Sequence, residues 1–273
     1  MTQTPAGRPA EARGRLLLVP NTLDFGAEPQ PLGAVLPTAV MQQASRLQHW
    51  IVEDAKSARA FLKRVNEVVP LQTPLQALSI TPLPRPPKGH GAAARPSTPG
   101  GDAGGPGGAQ ALLAPALAGH DIGLLSEAGL PAVADPGAAV VAAAHALGID
   151  VQPLAGPSSL MLALAASGLD GQSFAFVGYL PQAAAARAAR IRELETHSRR
   201  SGQTQIFIET PYRNAALLAA LLEHAAPGTR LSVSIALTLP GGWSRTATIA
   251  QWRAGQGSPP LSDRLPAVFL LQA

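Results

Sequence analysis

The chain has 273 residues, with 21 lysines and arginines against 17 acids and no cysteine; 46% of it is hydrophobic and 14% charged. That composition suits a globular protein of one large or two small domains, and the lack of cysteine excludes disulfides, thiolate zinc sites, iron–sulfur clusters and a cysteine nucleophile. The longest apolar runs, Leu16 to Pro20 and Leu160 to Ala166, fall far short of the roughly 20 residues that cross a bilayer, so no membrane association is expected.

The first 15 residues carry Arg8, Arg13 and Arg15 but no apolar core behind them. They do not read as a secretory signal. Residues 1–14 are expected to be a disordered tail, and a cytoplasmic location is the default. GRLLLVP then predicts a short buried strand, Thr38 to Gln48 an amphipathic helix, WIVED a second strand and Ala55 to Val65 a second helix. Leu75 to Leu83 reads as another strand. From Thr81 to Gln110, 15 of 30 residues are glycine or proline, and a stretch so poor in aromatic and β-branched residues cannot offset its ordering entropy. It is expected to be a flexible loop, 81–110. A helix near Ala109 to Ala118, a strand Ile122 to Leu125, a helix Gly137 to Leu147 and a strand Ile149 to Leu154 follow. Strand alternating with helix implies a parallel sheet.

The pattern restarts after Gly171: strand FAFVGYL, an arginine-rich helix Ala183 to Ser198, strand QTQIFIE, helix Asn214 to His224, strand RLSVSIAL and a last strand AVFLLQ. Two α/β domains are predicted, 15–155 and 156–273, with no internal repeat. The net charge of +4 comes from arginine, because Lys56, Lys63 and Lys88 are the only lysines. Arginine's fork suits phosphate.

Common cofactor signatures are missing. The first strand is followed by PNTLDFG rather than G-x-G-x-x-G, and the chain contains no G-x-x-x-x-G-K-[ST]. None of the six histidines has ligand spacing, so no metal is expected. Gly156-Pro157-Ser158-Ser159 lacks the second glycine of a nucleophile elbow. What stands out is SEAGLPAVADPG, Ser126 to Gly137, at the carboxyl end of a predicted strand. Ligands of parallel sheets bind at that end, and small side chains there let a flat ligand approach the backbone. Asp135 and Pro136 are expected to open the next helix as N-cap and first residue.

These residues resemble the tetrapyrrole (corrin/porphyrin) methylases, the class III S-adenosylmethionine methyltransferases, and within them the ribosomal RNA small-subunit methyltransferase I branch, which 2'-O-methylates a cytidine. The family pattern S-[DE]-A-G-x-P-x-[IV]-[SA]-D-P-G is matched by Ser126, Glu127, Ala128, Gly129, Pro131, Val133, Ala134, Asp135, Pro136 and Gly137. Further blocks are P-L-x-G-P-S-[AS] at Pro153 to Ser159, S-G-L at Ser167 to Leu169, F-x-G-[FY]-L-P at Phe176 to Pro181, and E-[ST]-P-[HY]-R at Glu209 to Arg213. Glu53-Asp54, followed by Lys56 and Arg59, matches an E-D motif ahead of a basic helix. The resemblance runs from about Leu16 to Gln272, outside the 81–110 loop.

It departs in three places. The branch's first loop, G-T-P-[IL]-G-[ND], is here Pro20-Asn21-Thr22-Leu23-Asp24-Phe25; its E-D-T-R is Glu53-Asp54-Ala55-Lys56; and its His-Asn-Glu segment has no counterpart in PLPRPPKGHG. A divergent paralogue is the expectation.

The resemblance implies two α/β/α domains, the first with a mostly parallel sheet and the second with a mixed one, a cofactor cleft between them, and a homodimer. S-adenosylmethionine would be lined by Ser126, Glu127, Ala128, Gly129, Leu130, Asp135, Pro157, Ser158 and Ser159, with Glu209, Thr210, Pro211 and Tyr212 closing over it. A ribose hydroxyl needs a base or a nearby charge to react, for which Asp54, Lys56 and Glu53 are the candidates. Asp54 is also placed to cap the helix that follows. The arginine-rich helix offers Arg187, Arg190 and Arg199, with Arg213 beyond it, as a phosphate-binding surface for ribosomal RNA or the small subunit. Glu193 and Glu195 equally make that helix an ordinary solvated face. A small tetrapyrrole-like acceptor, or a non-catalytic module binding S-adenosylmethionine or RNA, stands as the alternative.

Overall fold

The computed structural model describes residues 13–24, 27–28, 30–84, 105–255 and 261–273, the side chains of 105–107 excepted. Among these, 13–21, 36–84 and 105–156 form one compact unit, and 22–24, 27–28, 30–35, 157–255 and 261–273 form a second.

The first unit is built on five parallel strands, β1 (Leu16–Val19), β2 (His49–Val52), β3 (Ser79–Pro82), β4 (Ile122–Leu125) and β5 (Val151–Pro153), in the order β3-β2-β4-β1-β5. Leu16 pairs with Ile122 on one side and Val151 on the other. Central strands of a parallel sheet are covered on both faces, which is why LLLV and IGLL are unbroken apolar runs. The edges, β3 and β5, both end on proline, which a strand tolerates where no neighbour needs its N–H. Helices α1 (Thr38–Ala44), α2 (Ala55–Val68), α3 (Gly105–Leu112), α4 (Ala114–Leu117) and α5 (Ala138–Ala146) connect the strands. Asp54 caps α2: its Oδ1 accepts from the N–H of Lys56 and of Ser57, both at 2.9 Å.

At the amino end of this sheet Arg15 clasps Asp121. The Arg15 N–H donates to Asp121 Oδ1 at 2.7 Å and its Nη2 to Oδ2 at 2.6 Å. That hydrogen bonding holds the Asp121 carboxyl below its ordinary range. The starts of β1 and β4 are thus tied together, and the opposite ends carry the loops.

The second unit has a mixed sheet of β6 (Phe174–Tyr179), β7 (Thr204–Glu209), β8 (Arg230–Ile235), β9 (Trp243–Thr248) and β10 (Ala267–Gln272), in the order β6-β7-β10-β8-β9. Only β6 and β7 are parallel; the other pairs are antiparallel. Its helices are α6 (Ser159–Ser167), α7 (Ala184–Ser201), α8 (Asn214–His224) and α9 (Ile249–Arg253). One face buries Phe207 and Phe269, stacked at 5.9 Å, with Leu194, Leu217, Leu221 and Trp252 of those helices. The other face sets Ile206, Val268 and Leu270 against Leu160 and Leu164 of α6.

The structure corrects several expectations. The ends of the glycine- and proline-rich stretch are ordered: residues 81 and 82 finish β3, and α3 begins at Gly105 and buries Ala109. Neighbouring backbone and core supply the contacts that this composition lacks by itself; 85–104 lie outside the described residues. Gly14, assigned to the tail, donates its N–H to the Ala116 carbonyl at 2.9 Å, whereas 1–12 lie outside the described residues. The helix expected over Ala109 to Ala118 is two, parted at Leu113, because Pro115 suits a first turn and not an interior. The β9–α9 pair was not anticipated. WSRTAT is mostly polar and, Thr246 apart, half-buried, so no apolar run marks it.

Gly123 in β4 has no room for a side chain, since a Cβ there would lie 2.7 Å from the Trp50 ring. Gly123→Ala should therefore destabilise the protein by about 1–3 kcal/mol through overpacking, read from the shift of its urea midpoint.

Candidate active site

Two loops leave the carboxyl ends of adjacent strands in the first unit, and they meet. Glu53 follows β2 and Ser126 follows β4, with Val52 opposite Leu125. The Glu53 N–H donates to the Leu125 carbonyl at 3.1 Å, and the Glu127 N–H donates back to Glu53 Oε2 at 3.1 Å. Glu53, Asp54, Lys56 and the Ser126 to Leu130 segment are thereby brought together at the carboxyl end of the sheet.

The chain after β1 fastens this loop. The buried Asn21 donates its side-chain amide to the carbonyls of Ser126 (3.1 Å) and Glu127 (2.9 Å), and its backbone N–H to the Gly129 carbonyl (2.9 Å). Sequence reading noticed the lost glycines of this first loop and passed over Asn21. A polar residue directly after a buried strand was the available signal, because its amide must find partners when it is buried.

The rest of the loop is strained. Gly129 has φ +66°, which glycine adopts freely, but Ala132 and Ala134 also stand at +65° and +63°. A side chain in that region costs of order 1 kcal/mol or more, and such strain persists where the surrounding structure imposes it. The backbone also overturns one expectation: the N-cap of α5 is Gly137 and makes no side-chain cap, so Asp135 does not cap the helix. Pro136 and Gly137 stand in a turn between Asp135 and Ala138, where the helix begins. Its pKa is pushed up to about 7, first by burial and then by the charges of Glu53 and Glu127. Three carboxylates thus crowd one loop, and one of them holds a proton near neutrality. No cluster of three or more side chains suited to a metal occurs among the described residues.

Of the three residues named for catalysis, Asp54 has Oδ1 engaged in the cap, Glu53 holds the loop, and Lys56 is exposed. The remaining named residues lie in the second unit. Pro157 and Ser158 precede α6 and Ser159 opens it. Glu209 ends β7, and Pro211 to Arg213 form a single 3-10 turn. Within that turn the buried Glu209 Oε1 accepts from the Thr210 N–H at 2.7 Å and from Arg213 Nε and Nη2 at 2.9 and 2.5 Å. Glu and Arg at i, i+4 were spaced for this pair, which occupies the guanidinium nominated for RNA. Tyr212 is 76% exposed.

On α7, Arg190 pairs with Glu193 at 2.7 Å and Arg199 approaches Glu195 at 3.9 Å. Glu195 itself accepts from the Ala226 N–H and the Thr229 hydroxyl. Arg187 Nη1 donates to the Gln182 carbonyl at 3.4 Å, while its Nε is buried with no hydrogen-bond partner among the described residues.

Known proteins resemble this chain in sequence and in fold. The sequence model of the Tetrapyrrole (Corrin/Porphyrin) Methylases matches residues 56–251. Ribosomal RNA small subunit methyltransferase I of Xylella fastidiosa is 40% identical over 113 residues, 41% of this chain and 40% of that protein. Its namesake in Mesorhizobium japonicum is 36% identical over 138 residues, 50% of this chain and 46% of that protein. The chain thus spans less than half the length of these curated relatives. Among solved structures, the methyltransferase CobJ superposes with a TM-score of 0.53 over 94% of this chain and 93% of its own, at 17% identity. A conserved hypothetical protein of Aeropyrum pernix K1 gives 0.56 over 96% and 85%, at 16% identity. At those identities the likeness establishes the fold alone.

Because Asp135 binds its proton more tightly folded (about 7) than its ordinary 3.8, it favours the folded state at low pH. That contribution is fully present below about 4 and is lost as pH rises through 7. Asp135→Asn should accordingly be more stable than the unsubstituted protein at pH 8, by roughly 2 kcal/mol after allowance for solvent screening. The difference should vanish near pH 4, as thermal melts at the two pH values would record.

Proposed function

Because the chain belongs to the tetrapyrrole (corrin/porphyrin) methylases, we propose that it is an S-adenosylmethionine-dependent methyltransferase acting on a ribose 2'-hydroxyl of small-subunit ribosomal RNA. The observation that carries the reading is the Ser126 to Gly137 loop, anchored by Asn21 at the carboxyl end of the parallel sheet. The names of the partial relatives in Xylella fastidiosa and Mesorhizobium japonicum support the RNA acceptor.

The residues present fit this cofactor. Ser126 Oγ is buried without a hydrogen-bond partner among the described residues, a free donor and acceptor beside the loop. Small side chains from Ala128 to Ala134 leave the backbone approachable. S-adenosylmethionine, when bound, supplies a methyl group on a positively charged sulfur. Toward such a cation the carboxylates of Glu53, Glu127 and Asp135 provide attraction, and Asp135 gives up its proton as the charge arrives. Asn21 holds the loop in one geometry, and in-line transfer depends on positioning above all. Proximity to the acceptor hydroxyl falls to Glu53, Asp54 and Lys56 at the end of β2. Phosphates fall to Arg187, Arg190 and Arg199, with Arg192 and Arg200, which form no ion pair among the described residues.

Two measurements test the reading. Purified small subunits from a strain lacking the protein should take up labelled methyl groups into RNA; S-adenosylmethionine binding with label absent from RNA would exclude the RNA acceptor, and no binding would exclude the reading entirely. Calorimetry should also show S-adenosylmethionine binding several-fold tighter at pH 8 than at pH 6, with a proton released on binding at pH 6 and little released at pH 8, a dependence that Asp135→Asn flattens.

A further inference from the structure

The second unit leaves part of a sheet face open, and the residues displayed there are aromatic. Phe174 pairs with Thr204, Phe176 with Ile206 and Tyr179 with Ile208. Alternate residues of β7 share a face, so all three rings lie on the side of Ile206, the side that packs against α6. In a regular strand Tyr179, three residues after Phe176, would point to the other face. A bulge prevents this: the register shifts between Phe176 and Tyr179, and Gly178 takes up φ +73°. Bulges re-aim side chains in this way. Helix α6 lies across β10, β8 and β9, while β6 is the edge strand. Phe174, Phe176 and Tyr179 are accordingly 39%, 37% and 46% exposed. In a chain with six phenylalanines and two tyrosines, three of those rings are displayed along one strand.

The charge of the same segment indicates the occupant. Residues 157–273 contain ten arginines and no lysine against six carboxylates. The chain's whole surplus of +4 therefore resides there, and residues 1–156 are balanced. Rings spaced along an exposed sheet face within a net-positive segment match a single-stranded polyanion whose bases can unstack, since bases stack on exposed aromatics and backbone charge supplies the remaining affinity. A duplex keeps its bases stacked on one another and gains nothing from such a surface.

We propose that the open face of β6, formed by Phe174, Phe176 and Tyr179, is a stacking surface for unpaired bases of RNA. The proposal rests on the RNA reading above and gives that substrate a point of attachment on the second unit.

Fluorescence anisotropy with a short labelled single-stranded RNA of mixed sequence, and with a blunt RNA duplex, tests it on the full chain. Phe174→Ala and Phe176→Ala should each weaken single-strand binding about tenfold. Duplex binding and the salt dependence should stay unchanged, because phosphate contacts are untouched. Phe176→Leu keeps apolar bulk without a ring and should behave like Phe176→Ala; S-adenosylmethionine titration verifies that each variant is folded. Wild-type affinity in Phe176→Leu, undiminished single-strand binding in both alanine variants, or loss of self-association by light scattering with RNA binding intact would each overturn the proposal. The last outcome would make this face a contact between two copies of the chain. Label transfer into RNA by the unsubstituted protein, measured separately, distinguishes failure of this surface from failure of the functional reading.

Discussion

A single buried amide organises the carboxyl end of the first unit's sheet. Asn21 stands where β1 stops, and three of its hydrogen bonds run to the loop after β4. The two strands are neighbours in parallel register, so their ends coincide and one side chain can reach across. Buried carbonyls need donors, and Asn21 supplies them to a stretch with no regular structure of its own. The positive φ values at Ala132 and Ala134 are then affordable, because a loop held at its root has fewer ways to relax.

The two ends of that sheet show opposite electrostatics. At the amino end Arg15 and Asp121 form a paired, hydrogen-bonded couple that lowers the acid's pKa. At the carboxyl end burial, and then the charges of Glu53 and Glu127, drive Asp135 up toward neutrality. Paired charge supports structure; crowded like charge costs stability and is retained where a ligand of opposite sign relieves it. In the proposed function that ligand is the sulfonium of S-adenosylmethionine.

In the second unit the division of labour lies between the faces of one sheet. Three helices cover one side around Phe207 and Phe269, while the short α6 covers β10, β8 and β9 on the other. The Glu209–Arg213 pair shows how a motif can serve the local fold: its acid and base close the turn after β7, and the conspicuous residue between them is the exposed Tyr212. The arginine excess of this unit is partly consumed by such pairs, on α7 as well as here.

Much was legible in the residues alone. Buried central strands must be apolar throughout, so LLLV, IGLL and AVFLLQ announced themselves, and Asp54 announced the start of α2 because a cap requires that residue type at that place. The Ser126 to Gly137 block stood out by composition, and its ordered glycines and prolines carried the family. Polar β9 escaped notice, since a half-buried edge strand needs no apolar run. The role of Asp135 was also misjudged: a sequence shows an Asp-Pro before a helix but not the turn that stands between it and the helix start. What the sequence determined by itself was everything governed by neighbours along the chain, which is the period, the caps and the motif. Tertiary structure alone decided the Asn21 anchor, the three-carboxylate cluster and the row of rings on β6. Each of these joins residues through strand order, register or a bulge, and those are settled only when distant segments pair.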